Sequence, residues 1–497
     1  MKFIIGNVST KIEYAAGTNE YARYYPLLRD YLRIKVPGAH YVQRKGWDGY
    51  RYFITASSQF ATGFLQMVVL FIEREGAKLE FEDQRKNKVT FTDRPVVNFD
   101  DASLRQYQEE GVLKVMGKQI QVKGCEPLFF PRGIIDAATN AGKDYMMASI
   151  YLSVRSAKAL LLVSNSDVYR KATKFFKTLF PIGEISPKKF EIAGFTIAMQ
   201  KTLYNRAESS IQVRKYLSEV NVLFVDEAHE SGSKEYSRLV SMVDAYVRVL
   251  VSGTPLDTSN PINNLIIVGL CGNVIFKITN KFLMDEKVSL RAIVRVFRNP
   301  APLGLALLYY EDAYAQRIMF SQTRADILIE QIRANPDKKI LVAFRYKEQG
   351  KYLLEKMMEW PELVGRVDMV EGTDPDREEK VEWFTNSKRT VLLSSVILRQ
   401  GVNIKDINVL AYAMGGRSKV DVKQFVGRAV RDDGISESIE VWDFYDEGKW
   451  VSAHSKFRVS LYKNEEFEIR YEYPATPSGA PKGSRVGSPT RGRFFRS

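Results

Sequence analysis

A chain of 497 residues is longer than one hydrophobic core serves, so about two to four domains are expected. With 45% hydrophobic and 27% charged residues and no apolar run of bilayer length, the composition excludes a helical membrane protein. A net charge of +14, from 73 basic and 59 acidic residues, points to a polyanionic partner, with plain solubility charge as the alternative.

In chain order, Met1-Lys2-Phe3-Ile4-Ile5 reads as a short strand without the apolar stretch of a signal peptide. Residues 1–95 mix short strands with a helix over 19–34, where Tyr21, Tyr24, Leu27, Leu28, Tyr31 and Leu32 share a face. A hairpin is predicted next: Tyr41 and Val42, a turn through Lys45, Gly46, Trp47, Asp48 and Gly49, then Tyr50 to Ile54. The charged run 82–88 reads as loop. Over 96–275, apolar runs at 160–163, 195–198, 222–225 and 249–251 each end in small or polar residues, the pattern of a parallel sheet buried on both faces. Residues 276–473 repeat it at 340–344, 367–370, 391–393 and 409–412, after a long helical stretch over 303–334. The tail, 474–497, holds Pro, Gly, Ser and basic residues without an acid and is expected to be disordered. Two distant cysteines, Cys125 and Cys271, with only His40, His229 and His454 beside them, argue for a reducing compartment and against structural zinc.

The chemistry begins at Ala137-Ala138-Thr139-Asn140-Ala141-Gly142-Lys143, an AxxxxGK loop after the strand-like Gly133–Asp136. Such a loop turns backbone N–H groups toward one point at a helix N-terminus, with Lys143 reaching the β and γ phosphates of ATP. Asp144 stands where a magnesium-binding hydroxyl is usual. Its carboxylate either joins the Mg2+ shell or weakens the site. Asp226 and Glu227 close a strand, as when one acid holds magnesium and the next orients the attacking water. Arg428 and Arg431, three apart on one helix face behind Gln424, suit a pair of arginine fingers.

Taken together, these segments resemble a superfamily 2 helicase, in the branch that includes the phage helicase UvsW and more distantly RecG. The resemblance implies two tandem RecA-like parallel-sheet lobes with a small α+β N-terminal domain. Leu104-Arg105-Gln106-Tyr107-Gln108 is similar to an LRxYQ element whose glutamine reads adenine; a plain helix start is the alternative. Asp226-Glu227-Ala228-His229 is similar to a DEAH box, with His229 coupling nucleotide to the second lobe. Ser252-Gly253-Thr254-Pro255 resembles the element linking ATP state to lobe closure, and Gln400-Gly401-Val402-Asn403 a QGxD element with Asn403 in the acid's place. DNA contacts implied by the family motifs fall at Ser164, Asn165, Gln200, Thr202, Phe344, Arg345, Ser394 and Ser395. Trp47-Asp48-Gly49 resembles a WDG hairpin, and Val441-Trp442-Asp443-Phe444-Tyr445-Asp446 a VWDLxD strand. Gln119 to Phe130 is expected to form an added hairpin, either a wedge or an inert surface feature.

The implied activity is ATP-dependent remodelling of branched DNA in a bacterial host's cytoplasm, if the chain is phage-encoded. Junction preference is expected in the N-terminal domain, where Arg44, Lys45 and Arg51 flank Trp47. A duplex translocase, a DEAH-type RNA helicase and a catalytically silent DNA-binding scaffold are the alternatives.

Overall fold

The computed structural model describes the chain apart from residues 40–46, 100–101, 156, 227–233, 258–259, 302–308, 372–373, 388–389, 396–406, 418–421, 423–425, 427–437 and 473–497. The N-terminal strands are β1 (Lys2–Ile5), β2 (Ser9–Glu13), β3 (Arg33–Lys35), β4 (Tyr50–Tyr52), β5 (Gln59–Ala61) and β6 (Glu80–Asp83). One sheet runs β5-β2-β1-β6, while β3 and β4 form an antiparallel pair. Helices α1 (Glu20–Tyr31) and α2 (Leu65–Arg74) bury Tyr24, Leu28, Leu65, Val68 and Ile72 with Phe3, Ile5 and Ile12.

One expectation for this region needs correction, and another falls outside the described residues. The strand at Tyr50 pairs with Arg33–Lys35, which the sequence did not anticipate, while Tyr41 and Val42, its predicted hairpin partners, lie outside the described residues. Glu82 and Asp83 belong to a strand, because Phe81 between the charges packs edge-on against Phe3, with ring centroids 6.0 Å apart.

Next come a short pair, β7 (Asn98–Phe99) and β8 (Ala102–Ser103), helix α3 (Gln106–Met116), and the expected added hairpin, β9 (Gln119–Ile120) with β10 (Leu128–Phe129). Lobe 1 follows as β11 (Arg132–Ala137), β12 (Ala159–Val163), β13 (Ile182–Ile185), β14 (Phe190–Glu191), β15 (Phe195–Met199), β16 (Val222–Asp226), β17 (Val247–Ser252) and β18 (Val274–Ile278). They form one sheet, β14-β13-β15-β12-β16-β17-β11-β18, parallel except at β14. Helices α4 (Lys143–Leu152), α5 (Ser166–Phe176), α6 (Gln200–Ser209), α7 (Ile211–Glu219), α8 (Lys234–Met242) and α9 (Pro261–Cys271) complete the lobe.

A short helix, α10 (Asn280–Asp285), leads into lobe 2, with Leu283 in the lobe 1 core and Met284 against that of lobe 2. The second sheet is fully parallel: β19 (Arg291–Asn299), β20 (Ile340–Ala343), β21 (Val367–Val370), β22 (Val391–Ser394), β23 (Val409–Tyr412), β24 (Ser438–Asp446) and β25 (Glu468–Glu472), in the order β21-β22-β20-β23-β24-β19-β25. Its helices are α11 (Tyr310–Tyr314), α12 (Gln322–Ala334), α13 (Lys347–Met358), α14 (Arg377–Asn386) and α15 (Val451–Asn464). The long helix expected over 303–334 is broken: a π-turn at Ala315–Met319 follows α11, and α12 restarts where the Ser321 side chain accepts from Arg324 N–H.

The N-terminal unit is fused to the base of lobe 1. Its apolar side chains share one cluster with Ile134, Leu223, Leu250 and Ile267. Asn7 Nδ2 donates to the carbonyls of Asp244 (2.8 Å) and Lys86 (3.0 Å), and Arg132 Nη1 donates to Asn7 O at 3.0 Å. A side chain on Gly63 would collide with the carbonyls of Val268 and Gly269 in α9, so glycine is required there. None of the described helices is long and apolar enough to cross a membrane.

Candidate nucleotide site and nucleic-acid edge

Because both sheets are parallel, their strand C-termini share one edge in each lobe, where ligands bind in such folds. In lobe 1, β11 ends at Ala137 and α4 begins at Lys143; between them Asn140 (φ 73°) and Gly142 (φ 74°) take left-handed backbone. That geometry gathers N–H groups into an anion-binding concavity. A Cβ at position 142 would run into the Gln108 amide, which fixes glycine there. Gln108 Nε2 donates to Ala141 O at 2.9 Å and its Oε1 accepts from Arg105 N–H at 2.8 Å. Both ends of that buried amide therefore tie the start of α3 to the phosphate loop. Arg105 is exposed beside it, donating to Tyr107 Oη at 3.3 Å.

The cleft is lined by Asp136, Ala138, Thr139 and Lys143 from the loop, and by Gly253 and Thr254 after β17. Asp136 pairs in register with Ser252, and Asp226 with Val251, so Asp226 ends two strands from the loop, roughly 10 Å away. Ser252 Oγ accepts from Thr254 N–H at 3.1 Å, and a Cβ on Gly253 would stand 3.3 Å from Ala137 O. The Ser-Gly-Thr segment thus lies directly against the phosphate loop. Thr254 Oγ1 is buried without a hydrogen-bond partner among the described residues. The donor set fits a magnesium-bound triphosphate: left-handed backbone, an unspent hydroxyl, Lys143, and the carboxylates of Asp226 and of Asp144 in the first turn of α4.

The remaining wall was not legible as a motif. Lys277, Thr279 and Asn280 come from the end of β18 and the start of α10, and Asn464 and Glu465 from the end of α15 in lobe 2. Asn280 Nδ2 donates to Glu465 Oε2 at 2.9 Å, and Lys281 pairs with Glu466 at 2.5 Å. Glu227, His229, Gly401, Asn403, Gln424, Arg428 and Arg431 lie outside the described residues. Val422 and Val426, four apart in the arginine segment, are buried in the lobe 2 core.

Along the nucleic-acid edge the predicted contacts divide. Ser164, Gln200 and Thr202 sit partly exposed at the ends of β12 and β15, and Arg345 is exposed after β20. Two others, Phe344 and Ser394, need correction. Phe344 is fully buried beneath Gly350, because its N–H still bonds Ser394 O at 3.1 Å and so prolongs the strand. Ser394 is buried for the same reason, while Ser395 is partly exposed. Asn165 is partly exposed; its Oδ1 caps α5, accepting from Val168 N–H at 2.9 Å, and its Nδ2 faces the same edge as Ser164 Oγ.

In the N-terminal unit, Arg44 and Lys45 lie outside the described residues. Trp47 builds the turn: its Nε1–H donates to Tyr50 O at 3.0 Å, Asp48 accepts from Tyr50 N–H and Tyr52 Oη–H, and Gly49 takes φ 80°. Arg51 is exposed. Two cations escaped the sequence reading: Arg29 stacks on Tyr52 and Arg33 on Tyr50, each 4.3 Å from the ring centre. They come from α1 and β3, and no local spacing announces their meeting with β4.

Comparison with known proteins agrees with this geometry. Residues 101–257 match the family described as "Type III restriction enzyme, res subunit", and residues 323–433 match "Helicase conserved C-terminal domain". The chain is 22% identical over 481 residues to the ATP-dependent DNA helicase uvsW of Enterobacteria phage T4, covering 88% of this chain and 93% of that protein. It is 24% identical to the DNA 3'-5' translocase XPB2 of Sulfurisphaera tokodaii, covering 76% and 88%. Among solved structures, the ATP-dependent Type ISP restriction-modification enzyme LlaBIII bound to DNA shares the fold at TM-score 0.54 and 11% identity, over 94% of this chain and 37% of that one.

Proposed function

The chain belongs to the superfamily 2 helicases, and from that premise we propose that it spends ATP to remodel branched DNA, unwinding or reversing forks and migrating four-way junctions, with R-loops as a further substrate. One observation carries the reading. The Arg29–Tyr52 and Arg33–Tyr50 stacks stand on a unit that shares its core with the motor lobe. Two closing lobes ratchet along a strand, whereas recognition of a branch needs added structure held in fixed register with them.

In this reading Lys143 and the N–H groups of the 138–142 turn hold the β and γ phosphates, and Gln108 holds that turn in shape. Asp226, helped by Asp144, would hold magnesium, whose charge neutralises the phosphates as the bond breaks. From the sequence motifs alone, Glu227 is assigned to the attacking water and Arg428 and Arg431 to the arginine fingers, with Gln424, Gly401 and Asn403 as their companions at the nucleotide. The contact of Gly253 with the loop passes nucleotide state to the rest of the lobe. Ser164, Gln200, Thr202, Arg345 and Ser395 track the DNA backbone.

A second reading, a duplex translocase that moves without separating strands, is favoured by the match to a restriction-enzyme subunit and by the likeness to XPB2. A panel of fork, four-way junction, blunt duplex and RNA duplex separates the two. The proposal requires ATP-dependent strand separation of fork and junction. Displacement of a third strand from duplex without unwinding would establish the translocase instead.

A further inference from the structure

The entry to α15 carries a strained aromatic that lies outside every recognised motif. Trp450 adopts φ 72° and ψ −56°, and Val451 N–H donates to Lys449 O at 3.0 Å, closing a three-residue turn around it. A γ-turn with positive φ is rare and strained, and most of all for a bulky residue. The surroundings impose it. Arg317 Nη1 donates to Glu447 O at 2.7 Å, and Ser452 Oγ donates to Gly448 O at 2.8 Å. Val451 is buried against Ala313, Tyr314 and Ile318. The outcome is a tryptophan that is 43% exposed in the turn after β24. Strain held this firmly concentrates where ligands are gripped.

Cations and rings stand on the same strand-end edge of lobe 2. Lys449 Nζ lies 5.1 Å from the Trp450 ring centre, and Tyr310 packs on the His454 imidazole at 5.3 Å. Arg345 follows β20 and Arg417 follows β23, its immediate neighbour, and a Cβ on Gly416 would stand 3.2 Å from Arg345 Nη1. Burial pushes the His454 imidazole below its usual range, Arg417, Arg458 and Arg345 push it further, and the carboxylate of Asp446 opposes them. That carboxylate is itself fully buried and held by Arg324. Arg345, Arg417 and Lys449 thus stand beside exposed rings, with Glu311 also within electrostatic reach of Tyr310.

We propose that this edge of lobe 2 grips single-stranded DNA, with Trp450 stacking on a base and Arg345, Arg417 and Lys449 taking the flanking phosphates. Stacking tolerates any base and phosphate contact any sequence, as a translocating motor requires. The inference rests on the DNA-motor reading and adds to it a hold on the bases themselves.

The test uses the full chain without nucleotide, measuring affinity for a thymidine oligonucleotide and for the same backbone lacking bases. Wild type should prefer the thymidine strand. Trp450→Ala should lose about ten-fold on it and little on the abasic strand, and Trp450→Phe should retain most of the preference. Trp450→Gly, which relieves the turn, should hold or raise Tm while losing the preference; a Trp450 that only supports the fold would lower Tm instead. Arg345→Glu with Arg417→Glu should weaken both strands. Unchanged thymidine affinity in Trp450→Ala, in a protein whose ATPase responds to DNA, overturns the grip alone. Absence of any DNA-stimulated ATPase in wild type overturns the motor reading while the base preference remains measurable. Tighter binding of oligouridine RNA than of thymidine, lost in Trp450→Ala, overturns the assignment to DNA.

Discussion

Gln108 and Ala141 meet at 2.9 Å, the buried side-chain amide of one donating to the backbone carbonyl of the other between the start of α3 and the end of the phosphate loop. Gln108→Ala leaves that carbonyl unpaired, a loss of about 1–3 kcal/mol concentrated on the loop. KM for ATP should rise and kcat fall, with ATP and GTP affected alike. Steady-state kinetics with both nucleotides check this. A changed ATP-to-GTP preference with an intact rate would show that the amide reads adenine and does not brace the loop.

Asp144 occupies the first turn of α4, one residue after Lys143. If its carboxylate joins the magnesium shell, Asp144→Ala should shift the magnesium titration of ATPase to higher concentration, and Asp144→Thr should restore it. Identical titrations in all three proteins would make the residue a bystander.

The fusion of residues 1–85 with lobe 1 changes what deletion can reveal. Removing them strips Phe3, Leu28, Phe64 and Val68 from a core shared with Leu223 and Leu250, so ATPase should be lost together with unwinding. Asn7→Ala should already lower stability by about 1–3 kcal/mol, since the Lys86 carbonyl loses its donor and the Asp244 carbonyl keeps only that of Asn87. Surface variants discriminate better. Arg29→Glu with Arg33→Glu should impair fork and junction unwinding while single-strand-stimulated ATPase persists; equal loss of both activities would move substrate choice into the motor lobes.

In lobe 2 a buried ionic network joins the ends of β23 and β24. Arg458 is fully buried; burial opposes its charge, but Asp443 and then Asp446 outweigh it and raise its pKa. Its Nε donates to Asp443 Oδ2 at 2.9 Å and its Nη1 to Gly416 O at 2.8 Å, just before the arginine segment. Arg458→Ala should cost about 3–5 kcal/mol by leaving Asp443 charged and underpaired. Denaturant unfolding measures this, and a loss below 1 kcal/mol, about the size of a surface pair, would show that the network relaxes.

The sheets were legible because their strands are continuous apolar runs, as at Leu160–Val163 and Val222–Val225, and the phosphate loop because its chemistry is local. What escaped depends on tertiary contact. Arg29 and Arg33 reach Tyr52 and Tyr50 only through the pairing of β3 with β4, and Glu465 enters the nucleotide cleft only because α15 ends beside α10. Phe344 was misread because the family motif marks a strand end, whereas here the chain makes one more ladder bond and turns the ring into the core. The break before α12 is a capping effect: Ser321 offers the helix a new start inside an unbroken helical pattern.

Hydrolysis at the loop closed by Lys143 is proposed to drive the remodelling of DNA. It is tested most directly by following ATP-dependent dissociation of a four-way junction by wild type and by Lys143→Ala, with junction binding measured in parallel. The account predicts that wild type resolves the junction only with ATP and magnesium. It also predicts that Lys143→Ala binds the junction normally and is slower by orders of magnitude. A Lys143→Ala protein that resolves the junction at the wild-type rate, or a wild type that resolves it equally well without ATP, would contradict it.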